Sequence, residues 1–482
     1  MNGQAVDEIP EGYLALGERP RPGQRPQREV WTGGSDSGRT STTEAQHWSE
    51  NAPVITAPPR ATAPSPRQGA ATRNVASADG RRTKRRIMGV DVARGFALLG
   101  MIAVHTLPAS VGTTDQPSLT WVLFGGHSAA LFAVLAGVSL AFLTGGRNPR
   151  KGLEARRARV GIAVRALLLF ALGLLLNTLD FPAFNILIYY GLMFLLAIPF
   201  TVMPVRWLLT SAVLFMIFAP MLMQASLGVL PAHVHDNANL VNLFSEPGAV
   251  FSELLLTGTY PALPWMAFIC LGMALGRLPL TRDRIQILLV IFGAVIAAVA
   301  KGLSMMMLLR FGVRDALVTA TPWLTTKEVM TIQNYGPDPQ LPTTTMSWLL
   351  ISGPHTNTPF AIALSAGLAM VALGSFLLIC RWIGRFLAPL GAMGSMTLTI
   401  YSAHLVFLAF VPISETPMFW LIIQIAVAAL VATAWQHAMG SGPLERLVTK
   451  ASHAAGRKVV PTDRVKPRHG AHRSSKTSAL NR

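Results

Sequence analysis

The chain has 482 residues, 51% of them hydrophobic and only 13% charged, with a formal net charge of +18. A water-soluble chain carries about 25% charged residues, so a soluble globular class is excluded and an all-α polytopic membrane bundle is expected. The positive charge sits mostly in the two ends and a few short loops. That distribution argues against nucleic acid as a partner and for membrane orientation and anionic lipid at the basic tails.

Residues 1–86 are rich in Pro, Gly, Ser, Thr and Arg without a sustained apolar run, and read as a disordered basic cytoplasmic tail. Their first thirty residues lack the apolar core of a secretory signal. Ten apolar runs of roughly spanning length follow, near 87–107, 121–143, 160–176, 186–203, 207–225, 257–276, 285–308, 359–380, 387–408 and 417–438. They predict a ten-helix transmembrane domain over 87–445, followed by a second basic cytoplasmic tail over 446–482.

Lysine and arginine are enriched in cytoplasmic loops of membrane proteins. Here the cluster Arg81-Arg82-Thr83-Lys84-Arg85-Arg86 precedes helix one, and Arg147, Arg150, Lys151, Arg156, Arg157 and Arg159 follow helix two. Arg206, Arg277, Arg282, Arg284, Arg381 and Arg385 fall on the same side in an alternating topology, whereas the loops 106–118, 177–185, 226–256 and 409–416 hold neither residue type. Only the long loop 309–358 breaks the pattern, with Arg310, Arg314 and Lys327. Both termini are therefore expected in the cytoplasm, with the chain in the plasma membrane.

The first run carries Asp91, Arg94 and His105 inside an otherwise apolar stretch. A charge at bilayer depth costs about 2.5–3.5 kcal/mol on insertion scales, so these groups should face a bundle interior or a polar cavity. Asp91 and Arg94 are three apart and share a helix face. His105 lies about 21 Å beyond Asp91 at 1.5 Å per residue, near the opposite membrane face.

Further reactive groups fall at a depth similar to that of His105. His127 follows Gly125-Gly126, Tyr260 and Trp265 lie in Tyr260-Pro261-Ala262-Leu263-Pro264-Trp265 at the broken start of helix six, His355 precedes helix eight, and His404 lies near the outer end of helix nine. Imidazole can take and return a proton near neutral pH, which suits a general base. Each histidine also has a plainer reading, as a hydrogen-bonding group between helices or an ordinary loop residue. His233, His235 and Asp236 are too few, on one loop, to predict a metal, and none is expected. Gly137, Gly391 and Gly394 read as helix-packing positions, and Lys301 as a snorkelling side chain.

Arg86…Asp91-x-x-Arg94-Gly95 followed by His105 resembles the first-helix signature of the transmembrane acyltransferase superfamily. The wider pattern is similar to its heparan-alpha-glucosaminide N-acetyltransferase-like and YeiB-like branch. Ser128-Ala129-Ala130-Leu131-Phe132-Ala133-Val134-Leu135-Ala136-Gly137, the Tyr260–Trp265 segment, Pro354-His355, Thr399-Ile400-Tyr401-Ser402-Ala403-His404 and Gly442-Pro443-Leu444-Glu445 also fit, so the resemblance covers about 85–450. It implies acyl transfer from cytosolic acyl-CoA, with no permanently bound cofactor, to a hydroxyl or amine of an envelope glycan or lipid on the opposite face. Asp91, Arg94 and Arg165 would then serve the donor, Tyr260 and Trp265 the acceptor, and His105, His127, His404 or His355 the catalysis. One departure is specific. In the heparan enzyme the histidine assigned to acetyl transfer lies in the loop beyond helix one, and the matching loop here, Thr106 to Ser118, contains none. The role would pass to His105 or His127.

Two other classes compete with the enzyme. A transporter or exporter of an envelope component would use Asp91, Arg94 and the histidines as a relay, but the two halves show no convincing internal duplication of the kind such proteins often carry. A non-catalytic membrane protein would leave the membrane histidines dispensable.

Overall fold

The computed structural model of the chain describes residues 87–112, 115–231, 237–338 and 340–459; the predictions for 1–86 and 460–482, and for His233, His235 and Asp236, lie outside them. In chain order the helices are α1 Met88–Thr106, α2 Leu119–Phe124, α3 His127–Leu143, α4 Gly152–Leu176, α5 Leu187–Ala197 and α6 Val205–Ser226. They continue with α7 Leu240–Ser245, α8 Pro247–Ser252, α9 Ala262–Gly276, α10 Asp283–Arg310, α11 Val313–Ala320 and α12 Thr326–Tyr335. The last five are α13 Pro359–Ile383, α14 Ala388–Ser395, α15 Thr397–Phe410, α16 Pro417–Met439 and α17 Pro443–Val459.

Among the described residues, seven segments are long and apolar enough to cross a membrane, α2 and α3 together counting as one. Two more spans are bent pairs: Pro247–Thr257 with Ala262–Gly276 at 46°, and α14 with α15 at 82°. Wide apolar faces on α6, α10 and α16 stay exposed, as at Phe218, Phe292 and Ile422, and in water such surface would not persist on a monomer. This is a multi-pass membrane protein. The ten predicted runs each find a helical counterpart, with three adjustments. The run at 186–203 is the 11-residue helix α5 plus a 3-10 turn over Pro199–Val202, and is shorter than a span. The run at 160–176 begins earlier, at Gly152, because the basic residues before it are already helical. The tail placed from 446 starts inside α17, which buries Val448, Ser452 and Gly456 along α4.

Helix α1 occupies the centre and packs on α3, α13, α14 and α16. Backbone contact at glycine makes this possible. A Cβ on Gly394 would lie 1.7 Å from the Asp91 carbonyl oxygen, and one on Gly95 would lie 2.0 Å from that of Leu390. Helices α3 and α9 cross in the same way at Gly137 and Gly272. Small residues at such crossings let helix backbones approach closely, which drives association where lipid supplies no hydrophobic force. Gly391 differs, since its Cβ would meet Val92 at an ordinary 3.4 Å.

The bundle has two distinct ends. At one, Arg381 donates to the Thr281 carbonyl (3.0 Å) and Arg277 to that of Thr201 (2.7 Å); this is the basic end. At the other, the loop 309–358 is a folded cap containing α11, α12 and a 3-10 turn over Met346–Leu350. Leu227, Leu308, Leu317, Val329, Leu341, Trp348 and Ile351 form a small core there, separate from that of the bundle. Two of the basic residues that broke the loop-charge pattern are paired: Lys327 with Asp115 at 2.7 Å and Arg314 with Asp315 at 3.1 Å.

Candidate active site

The face that α1 turns inward is set by its spacing. Arg94 and His105 both line a cavity of about 470 Å³, and eleven residues of helix put them about 16 Å apart along the axis. At the basic end, Arg94 donates to Asp91 Oδ1 at 2.8 Å and to Ser139 Oγ at 2.5 Å, while Ser139 donates in turn to the Leu135 carbonyl at 2.6 Å. The Arg94 and Asp91 side chains are 22% and 15% exposed. Asp91 is outside the cavity lining and orients Arg94; Arg165 and Glu445 share the lining with Arg94.

Glu445 also explains the bend between α14 and α15. Its Oε1 accepts from the backbone N–H of Leu398 (2.7 Å) and Thr399 (3.1 Å), and its Oε2 from the Thr399 hydroxyl (2.6 Å). A carboxylate on the first free N–H groups of a helix satisfies those donors and meets the positive end of the helix dipole. The new helix α15 thus starts from a cap supplied 46 residues downstream, and its first turn borders the cavity through Thr397 and Leu398.

The cavity walls are largely apolar, with Phe132, Leu169 and Phe194 among them, and Tyr260 and His105 line it toward the far end. His105 Nδ1 lies 3.2 Å from His404 Nε2. The two rings are nearly parallel (9°) with centroids 5.4 Å apart, a separation that so short an N···N contact allows only when they meet edge to edge. Behind them, His404 Nδ1 lies 2.7 Å from Gln424 Oε1, and Gln424 donates to Thr106 Oγ1 at 3.2 Å.

The remaining candidates form a second group. His127 Nδ1 lies 2.9 Å from Ser365 Oγ. His355 packs edge-on against Tyr260, with ring centroids 5.5 Å apart. Trp265 donates to Asn357 Oδ1 at 2.7 Å, and Asn357 donates to the carbonyls of Thr259 (3.2 Å) and His355 (3.1 Å). His355 and Asn357 are held at φ of +55° and +54°, a left-handed backbone that costs a non-glycine residue about 1–3 kcal/mol and concentrates at functional sites. These residues line a separate chamber of about 20 Å³, room for one water-sized group.

The four histidines thus divide into two pairs on either side of Tyr260. His105 lines the large cavity with His404 behind it, while His127, His355 and Trp265 line the small chamber. Sequence reasoning gives no site role to Ser139, Glu445 or Gln424, although Glu445 stands in the Gly442-Pro443-Leu444-Glu445 match. Gln424 did leave a signal, as a lone amide within Phe419-Trp420-Leu421-Ile422-Ile423-Gln424-Ile425-Ala426-Val427.

Residues 86–302 match the family model described as heparan-alpha-glucosaminide N-acetyltransferase, catalytic. No curated protein matches the chain. The matched segment holds Asp91, Arg94, His105, His127, Arg165, Tyr260 and Trp265, whereas His355, His404, Gln424 and Glu445 lie beyond it. The first-helix resemblance therefore holds over that segment, and it supports a membrane acetyltransferase-type function.

Proposed function

We propose that the protein transfers an acyl group from cytosolic acyl-CoA to a hydroxyl or amine of an envelope glycan or glycolipid on the opposite face of the plasma membrane. The observation that carries this reading is the single cavity lined by Arg94 and Arg165 toward its basic end and by His105 toward the other. Acyl-CoA is a phosphorylated donor with a long uncharged arm. Guanidinium groups suit its anionic portion, and the apolar walls suit the arm. The distribution of lysine and arginine supports a cytoplasmic basic end and cytoplasmic termini.

In the direct mechanism, His105 Nε2 takes the proton from the acceptor hydroxyl or amine. The freed pair attacks the thioester carbonyl carbon, and the tetrahedral intermediate collapses with loss of the C–S bond. The CoA thiolate leaves and takes the proton back from His105, so charge and atoms balance. A stepwise route would acylate a histidine first and pass the acyl group on in a second displacement.

The test uses purified protein in liposomes, acetyl-CoA supplied to the basic end and glucosamine to the other. Thiol release that depends on glucosamine is expected in the parent, and general-base loss in His105→Ala should lower turnover by about 10²–10⁴-fold. His127→Ala, His355→Ala and His404→Ala are run alongside. Full activity in all four variants would remove the histidine mechanism, and absence of glucosamine-dependent thiol release in the parent would remove the enzymatic reading.

A further inference from the structure

We infer that Gln424 is a positioning residue that fixes the tautomers of His404 and His105, leaving the lone pair on His105 Nε2; this rests on the acyl-transfer reading above. A neutral imidazole carries one N–H and one lone pair, and the hydrogen bond made by one nitrogen sets the role of the other. The Gln424 carbonyl oxygen can only accept. At 2.7 Å from His404 Nδ1, it requires the proton to be on that nitrogen. His404 Nε2 is then an acceptor, and the 3.2 Å contact is completed by a proton on His105 Nδ1. One atom remains: Nε2 of His105, unprotonated, on the only one of the four candidate histidines that lines the large cavity.

The edge-to-edge ring geometry agrees with this assignment, because imidazole lone pairs and N–H bonds both lie in the ring plane. The placement of Gln424 is a second, independent observation. Helix α16 buries little besides Leu421 and Ala432, and it exposes Ile422, Ile423 and Val427. A primary amide in such a helix is costly unless it is used. Gln424 is half-buried and turned toward α1, where its N–H reaches Thr106. The arrangement is a relay of amide, imidazole and imidazole, in which the outer members orient a base they do not replace, as the third member of a hydrolase triad does.

The relay is all-or-none. If the acceptor at 424 is lost, His404 is free to place its proton on Nε2 and donate to His105 Nδ1. His105 must then carry its own proton on Nε2, and the base becomes a donor.

The test is ¹⁵N-histidine NMR of the full chain in lipid, with signals assigned by their loss in His105→Asn and His404→Asn, beside acetyl-CoA turnover. The parent should show Nδ1–H and bare Nε2 on both rings. Gln424→Glu keeps an acceptor and should keep both tautomers and turnover to within a few-fold. Gln424→Met should lose the tautomer pattern and lower kcat about 100-fold, with KM for acetyl-CoA unchanged. A proton on His105 Nε2 in the parent, or an unchanged spectrum in Gln424→Met, overturns the inference. If the parent spectrum is as stated but no acyl donor is turned over, the acyl-transfer reading fails and the tautomer assignment stands.

Discussion

Replacing Gly394 by alanine tests whether α1 is held where the cavity needs it. The added Cβ would lie 1.7 Å from the Asp91 carbonyl oxygen and 2.7 Å from the Gly95 nitrogen. Both obstacles are backbone, so no side chain can rotate away. Restoring an ordinary 3.4 Å contact requires α1 and α14 to separate by about 1.7 Å at that point. Overpacking of a close-packed interior typically costs about 1–3 kcal/mol, and here it also moves the turn that carries Asp91 and Arg94. The neighbouring Gly391→Ala adds the same methyl group on the same helix but meets only Val92 Cγ2, at 3.4 Å. Thermal unfolding in detergent, followed by retention of the monodisperse peak, should show Gly394→Ala clearly destabilised and Gly391→Ala close to the parent. Equal midpoints for both variants and the parent would refute the backbone crossing.

Removing one partner of a buried ion pair costs about 3–5 kcal/mol in soluble proteins; this pair is partly exposed, so a smaller loss is expected. Asp91→Ala should lower folded yield, and Arg94→Ala should in addition raise KM for the donor; parent-like yield and kinetics in both would count against the placement. Glu445→Ala removes the acceptor of two backbone N–H groups and one hydroxyl, and loss of a cap costs about 0.5–2 kcal/mol. Glu445→Gln, which keeps an oxygen for the two amides, should recover much of that stability in the same melt; equal losses would argue against capping. An alkaline phosphatase reporter fused after Val111 should be active and one fused after Arg156 inactive, and the reverse pattern would invert the proposed orientation.

Much of this architecture is legible in the residue pattern, and the reasons for the rest are specific. Charges inside an apolar run marked α1, because nothing in lipid offsets them. The similar depth of the four histidines followed from topology alone. Their division into two pairs did not, since it depends on which side of Tyr260 each helix packs. The bend at Met396 was hidden for a different reason: hydropathy there is continuous, and the cap that starts the new helix comes from Glu445, far along the chain. Helix α17 was read as tail because its composition is polar and basic. Its inward face, Leu444, Val448, Ser452 and Gly456 at four-residue spacing, is an amphipathic stripe that a hydropathy window averages away against the basic residues between. Gln424 was passed over because an amide in an apolar helix has no reactive group of its own.

The cap over residues 309–358 has its own core, built on the ends of α6 and α10 through Leu227 and Leu308. Among the described residues its side-chain links to the rest of the chain include Gln224 to the Pro342 carbonyl (2.6 Å), Ser304 to the Leu350 carbonyl (2.8 Å), Trp121 to the Asn334 carbonyl (3.0 Å) and the exposed Lys327–Asp115 pair. Segments with a core of their own can open at a fraction of the global unfolding free energy. The cap is thus a cooperative unit distinct from the bundle, and native-state hydrogen exchange should resolve it as a separate, faster isotherm. Ser352, His355 and Asn357, which wall the small chamber, belong to this unit. Opening of the cap would therefore disturb that chamber while leaving in place the lining of the large cavity, which takes no residue from 309–358.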